Sequence, residues 1–588
     1  MSHKNKKKRS PSIPKNKKVK KQLVKQMKIA QRESSRKRIY LNKVNLLKQR
    51  VFDEKIVEKI GINPAGKAGY VVFLSICNKK ERAMVYEGKG DTLNTAWNEA
   101  VVTCGNIVEK TDIEPCWLKV DVVYASMPCS SELLSESLKL SRENFFRNSL
   151  SFDPEFRTAL LEAELNGNKI YDYKNNTINK ENLDRYLKQA HKRGIESLPD
   201  QYTLFRCFGW LCDENNDTYD LEYGEYNYGL RKLENIDDKF IKHLIINASD
   251  FLRSGIQDDG SFTYGYYPDT HKKIDTYNIL RHVGTIWALL CRYRLTPDES
   301  LKSDIDKCID YLYQSIIFSD QHTAFVLEKK NNEIKLGGNA LTIIILTEYM
   351  DVFNSDAYID ICSKLGNGIL KQLDYKIGKY YHVLDKNFSR KEEFRTVYYD
   401  GEATFALVRL YGVTKDNKWL EAASIAVDHF IEADYTQFRD HWVAYSMNEI
   451  TKYVDDCDAY YKFVLSNITN NFDIILNQDT TYHTYLELLM ASFNTCYRMI
   501  KNQVPVDPLE MKDLVNLIKY RVLRQMEGYF YPEYAMYMKY PEKNLGAFMI
   551  RHDDYRIRID DIQHNIGGLY QYVINYKKLV ECGLDKIE

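Results

Sequence analysis

Six stretches of this chain share one pattern, in which polar, reactive residues run directly into an apolar helix. The first is Arg281-His282-Val283-Gly284, which leads into Thr285-Ile286-Trp287-Ala288-Leu289-Leu290. The others begin at Gly337-Gly338-Asn339, Tyr399-Asp400-Gly401-Glu402, Arg439-Asp440-His441, Tyr482-His483-Thr484 and Asp561-Ile562-Gln563-His564. Ahead of each lies a segment with apolar residues at helical spacing, at about 238–254, 301–317, 355–373, 415–433, 457–474 and 508–526. In the first, Ile241, Leu244, Ile245, Ala248 and Leu252 mark one face; in the fourth, Trp419, Ala422, Ala423, Ala426, Val427 and Phe430 do. The order is therefore outer helix, loop, inner helix, six times. The unequal spacing of the starts argues against an open solenoid of strict repeats. It predicts a closed ring of six helical hairpins over 200–588, with the polar starts around one cleft.

The first part of the chain has a different period. Residues 70–76 read as a buried strand and 82–86 as its hairpin partner. Asp91 is a candidate N-cap for a helix over 92–108, and 117–123 returns as a strand, which gives a small ββαβ domain at 66–128. Gly88-Lys89-Gly90 stands ahead of that helix, where an anion can bind, but it lacks the full phosphate-loop spacing and reads more simply as a tight turn. Residues 130–200 are helical and charged and read as a connector. Within the ring, Gly260–Tyr267, Gly378–Asp385 and Gly528–Pro532 alternate aromatics like short hairpins, which would set Tyr264 and Tyr266 at the mouth.

Charge adds a third segment. The formal net charge of +1 hides 19 Lys/Arg against the single acid Glu33 in residues 1–50. That stretch reads as a basic arm, in part helical, suited to an anionic membrane surface or simply to solvent. The remaining acidic body makes nucleic acid an unlikely partner. The twelve cysteines form no Cys-x-x-Cys pair, so no zinc site is expected from them. They suit a reducing compartment. No apolar run approaches the ~18 residues of a membrane span. A cytoplasmic protein, peripheral to the inner face of a membrane through its arm, is the expectation.

The six hairpins, with starts such as Tyr399-Asp400-Gly401-Glu402-Ala403 and Arg281-His282-Val283-Gly284, resemble the (α/α)6-toroid carbohydrate-active proteins. That group includes six-hairpin glycosidases, N-acylglucosamine 2-epimerase-like proteins and glucuronyl C5-epimerases. The resemblance covers about residues 200–580 and is one of architecture. It implies a mostly α fold, a sugar or glycan as partner, and hydrolysis, elimination or epimerisation as the reaction.

The residues at the starts suit such chemistry. Of twelve histidines, His282, His441, His483 and His564 stand there, and a helix N-terminus favours the neutral, basic imidazole. Asp400 and Glu402, with Asp440, Asp560 and Asp561, offer carboxylates for general acid/base work, although such residues also cap helices everywhere. His282, His441 and Glu402 are the first choices for proton transfer. Arg281 and Arg439, with Arg551, Arg556 and Arg558, suit an anionic sugar unless they pair with the neighbouring aspartates. Tyr399, Tyr264 and Tyr266 are candidates for stacking and Asn339 for hydroxyl contacts, with 45 tyrosines in the chain. His552-Asp553-Asp554 and Asp320-Gln321-His322 lack helical ligand spacing, so no metal and no cofactor is expected. The alternative function is a non-catalytic glycan-binding or glycan-assembly factor at a membrane.

Overall fold

The computed structural model describes residues 17–190, 194–224, 227–233 and 236–584. It divides into two compact units. One contains residues up to 140, 146–232 and 532–542; the other contains 141–145, 233–531 and 543 onward.

The first unit is built on an antiparallel sheet. Its strands are β1 (Tyr70–Cys77), β2 (Met84–Gly90), β3 (Trp117–Ser130), β4 (Ser149–Ser151), β5 (Ala159–Leu160), β6 (Gln201–Cys212) and β7 (Thr218–Asp220). They run in the order β2-β1-β3-β6-β4-β5, with β7 paired to β6. Strand alternation sends Val72, Leu74 and Ile76 of β1 and Leu118, Val120 and Val122 of β3 to one face. There they meet Trp97, Ala100 and Cys104 of α2 (Leu93–Lys110) and Tyr40, Val44 and Leu47 of α1 (Lys17–Val51). The opposite face carries Ser75, Lys119, Asp121 and Cys207, all buried.

This unit is larger than the ββαβ segment expected from sequence. The basic arm expected over residues 1–50 is not free along its whole length: Tyr40, Val44, Leu47 and Val51, three and four apart, bury one face of α1 in the core. Four apolar residues on one stripe outweigh the surrounding charge. The first sixteen residues of that arm lie outside the described residues. The 130–200 connector supplies β4 and β5, and β6, placed at the start of the ring by sequence, is the longest partner of β3. Strand β6 is buried almost throughout from Leu204 to Cys212, so it shows no clean alternation to read.

Gly88 and Gly90 do not shape a phosphate loop. A Cβ at Gly88 would lie 2.2 Å from the Ala96 carbonyl oxygen and 2.3 Å from the Ala100 nitrogen, so the glycine lets β2 lie against α2. Gly88→Val is expected to destabilise this unit by about 1–3 kcal/mol or more, because backbone rather than a flexible side chain must move. Urea unfolding followed by far-UV circular dichroism would show it; an unchanged midpoint would refute the packing argument.

The second unit is a ring. The outer helices are α3 (Asp238–Ser254), α5 (Glu299–Tyr313), α7 (Ile359–Lys371), α9 (Asn417–Glu432), α11 (Asp458–Leu476) and α13 (Pro508–Met526). The inner helices are α4 (Ile279–Leu295), α6 (Leu336–Phe353), α8 (Tyr398–Thr414), α10 (His441–Ile450), α12 (Thr484–Lys501) and α14 (Ile559–Glu581). Each inner helix packs on the next in that order, and α14 packs on α4, so the ring closes. Helix α6 is buried on every side from Leu336 to Thr347, as an inner stave requires. Aspartates cap several outer helices: Asp237 accepts from the Phe240 amide at 2.8 Å, and Asp298 from Ser300 at 2.9 Å.

The outer helix expected at 301–317 stops at Tyr313. Ile316–Asp320 instead pairs antiparallel with Thr323–Glu328, and this hairpin continues through Glu333–Lys335 and Val383–Asp385 to Arg390–Glu392 as a five-stranded sheet. The Ile-Ile-Phe run suits a strand better than another helical turn. Gly265–Tyr267 pairs with Lys272–Lys273, as its aromatic alternation suggests, and also with Ile557–Arg558, which leads into α14.

Candidate functional site

The N-terminal ends of α10, α12 and α14 bring three histidines and one glutamate together. His441 opens α10 after Asp440, whose carboxylate caps the helix by accepting from the Trp442 amide at 2.8 Å. His483 immediately precedes α12, Glu487 lies in its first turn, and His564 lies in the second turn of α14. His564 Nδ1 and Glu487 Oε2 are 2.7 Å apart. The His483 and His564 rings stack, with centroids 5.2 Å apart and planes 20° apart. His441 meets His564 edge-on at 5.0 Å, and its Nε2 is 3.7 Å from Glu487 Oε2. Tyr445 donates to the other Glu487 oxygen at 3.3 Å.

The environments drive these groups apart. Burial, then the charge of His564, pushes His483 down to about 3. Burial likewise drives His441 well below the ordinary imidazole range, with His564 and His483 adding to it. His564 goes the other way: burial opposes its charge, but the charge and hydrogen bond of Glu487, with Asp560 and Asp561 beyond, raise it. The two stacked imidazoles are therefore pushed in opposite directions, His483 toward the neutral form and His564 toward the charged one. Adjacent groups with separated proton affinities are the mark of an acid and a base. His441 is only 1 % exposed and neither ring nitrogen makes a hydrogen bond, while His483 and His564 are partly open.

Two further carboxyls face the buried end of the site. Glu402 Oε2 and Asp440 Oδ2 are buried without hydrogen-bond partners. Burial, helped by Asp440, raises Glu402 well above the carboxylate range; burial also raises Asp440, where the Trp442 amide opposes it and Asp400 adds to it. A Cβ on Gly337 would strike Glu402 Oε2 at 2.2 Å and the Tyr399 ring at 2.8 Å, so the glycine-led start of α6 makes room for both.

Other residues named from sequence have structural duties. His282 accepts at Nδ1 from the Tyr277 hydroxyl at 2.7 Å and donates from Nε2 to the Cys308 carbonyl at 2.9 Å, so it faces the outer layer. Burial lowers it to about 4. Asn339 accepts from the Val326 amide at 2.8 Å and donates to the Ala324 and Leu365 carbonyls. Asp400 accepts from His382 Nε2 at 3.0 Å and from the Tyr435 hydroxyl at 2.9 Å, which ties the 382–396 loop to α8. Tyr399 is buried against His382, and Tyr266 donates to the Lys543 carbonyl at 2.8 Å. These placements take His282, Asn339, Asp400 and Tyr266 out of the cluster.

The arginines pair inside the protein. Arg281 Nε lies 2.7 Å from Asp560, which also takes Arg558 at 2.5 Å, and Arg281 further bonds the Tyr264 hydroxyl. Despite burial, Arg281 and Arg558 hold Asp560 below its ordinary value; burial and Asp560 push Asp561 up to about 6. Arg556 binds Asp561 through two bonds of 3.1 Å. Arg439, in a left-handed conformation ahead of Asp440, bonds Tyr485.

Glu487, the partner that sets His564, was missed by sequence reasoning. Its spacing from His483, four residues along a helix, is a signal that would have found it. Among the described residues, His441, Glu487 and His564 are also the group whose donor atoms come within 4.8 Å of one another, the reach of a shared metal. A cation there would have to displace the proton between His564 and Glu487.

No family model matches the sequence, and no curated protein matches it. Among solved structures, a D-mannose isomerase is 12% identical, with a TM-score of 0.44 over 57% of this chain and 98% of its own. A cellobiose 2-epimerase from Bacillus thermoamylovorans is 12% identical, with a TM-score of 0.45 over 57% of this chain and 100% of its own. An α-1,6-mannanase from Salegentibacter is 10% identical, with a TM-score of 0.30 over 57% of this chain and 99% of its own. The closed order of the inner helices makes the second unit an (α/α)6 toroid.

Proposed function

We propose that the toroid is a carbohydrate-active enzyme that shifts a proton next to the carbonyl of an open-chain sugar. The observation that carries this is the stacked His483–His564 pair, with Glu487 hydrogen-bonded to the second and the two rings pushed in opposite directions. Neutral His483 removes the proton from C2 while the electrons of that bond form C1=C2, and His564 gives its proton to the carbonyl oxygen, leaving an enediol. Return of a proton to the opposite face of C2, with O1 giving its proton back to His564, gives the epimer; return to C1, with O2 giving up its proton, gives the ketose. Buried His441, unprotonated, leaves the positive charge on His564 alone. Because Arg281, Arg556 and Arg558 are met by aspartates, this reading favours an uncharged sugar over an anionic one.

A second reading rests on Glu402 and Asp440. A carboxyl kept protonated by burial is a general acid for a glycosidic oxygen, which would make the reaction hydrolysis. One experiment separates the two. The protein is incubated in D2O with a panel of aldoses and disaccharides and followed by proton NMR. Deuterium at C2 with an epimer or ketose is the expected result. New reducing ends without deuterium would transfer the chemistry to the carboxyls, and no change in any sugar would leave a binding protein.

A further inference from the structure

The toroid has a second opening at the C-terminal ends of its inner helices, away from the histidines. A cavity of about 360 Å³ lies there. Two of its ion pairs are closed: Arg409 with Glu348 at 3.0 Å, and Lys452 with Glu449 at 2.5 Å. Among the described residues, two cations remain without a carboxylate at ion-pair distance. Arg498 of α12 donates to the Asn448 carbonyl at 2.6 Å and to the Thr451 hydroxyl at 2.9 Å, and its Nε is buried without a partner. Lys578 of α14 donates to Asn575 at 2.8 Å.

Basic side chains at helix C-termini complement the helix dipole, which accounts for their position. It does not account for two like charges lining one cavity. Burial and the charge of Arg498 depress Lys578, and burial depresses Arg498. An anion between them would relieve both. Around them the amides of Asn494 and Gln571 and the ring of Tyr497 line the same space, a set that suits hydroxyls and the flat face of a sugar.

We propose that this rear cavity binds a phosphate-bearing small molecule, its phosphate between Arg498 and Lys578. The site stands independently of the reaction at the other mouth. Tyr445 lines the cavity and also donates to Glu487, so one side chain lies between the rear cavity and the His564–Glu487 pair.

The test uses the full chain and inorganic phosphate, followed by isothermal titration calorimetry and thermal melting. Saturable binding to the wild type is expected. Lys578→Gln should weaken it about tenfold or more, the effect of one lost charged hydrogen bond, and Lys578→Arg should retain it. The melting temperature of both variants without phosphate should match the wild type. Glucose 6-phosphate should bind more tightly than phosphate, and glucose should not compete. Absence of saturable binding, or equal affinity in Lys578→Gln, would overturn the proposal whether or not the enzyme turns over a sugar.

Discussion

Replacing His564 by asparagine is expected to lower turnover by about 10²–10⁴-fold, the usual contribution of one positioned acid or base, with little change in the fold. The side chain lies in the second turn of α14 and is partly open, so the smaller amide leaves no large void. The companion variant Glu487→Gln tests the cause. Glu487 raises His564 through charge and a 2.7 Å hydrogen bond. A group raised in this way carries its proton at low pH and loses it as pH rises through the raised value. Activity that needs protonated His564 should therefore fall on the alkaline side. Glu487→Gln removes the charge, lowers His564, and should move that alkaline limb to lower pH while leaving the acid limb in place. A pH–rate profile whose alkaline limb stays fixed in Glu487→Gln would remove His564 as the acid, even if turnover dropped. The thermal midpoint, taken alongside, separates lost chemistry from lost fold.

The outer helices were legible because each is amphipathic. Their apolar positions repeat at the helical period, and five of the six helices stop within two residues of the segments read from sequence. The inner helices were legible as helices but not as faces. Helix α6 is apolar all round, so nothing in its sequence says which side of Asn339 looks inward. That is why His282 and Asn339, at the same kind of helix start as His441, turn out to bond the outer layer. Periodicity reveals an orientation only when one side of an element is wet. Two tightly packed layers erase that signal, and the candidate site inherited the ambiguity. The same loss explains β6: buried on both faces, it offered no alternation, and its pairing with β3 depends on partners eighty residues away. Charge misled at α1, where lysines and arginines flank a stripe of four core residues.

The polar face of the first unit carries the largest expected effect on stability. Lys119 and Asp121, two residues apart on β3, point to the same side of the sheet and bond at 2.5 and 2.6 Å, each about 5 % exposed. The Tyr537 ring covers the ammonium at 5.5 Å, and its hydroxyl lies 2.9 Å from Ser75 on the neighbouring strand. Such a pair costs desolvation on both sides, so its net contribution is small, while breaking it is expensive. Asp121→Ala should destabilise the unit by about 3–5 kcal/mol, because it strands a buried ammonium. The double change Lys119→Met, Asp121→Leu should recover most of that loss, since both charges leave together and the apolar side chains fill comparable space. Amide hydrogen exchange along β3 and β6 reads the effect within this unit without assuming that the whole chain unfolds in one step. Fast exchange in Asp121→Ala with near-wild-type protection in the double variant is the expected pattern. Equal loss in both would mean that the pair contributes specific geometry to the sheet, through Ser75 and Tyr537, beyond the cost of a lone buried charge.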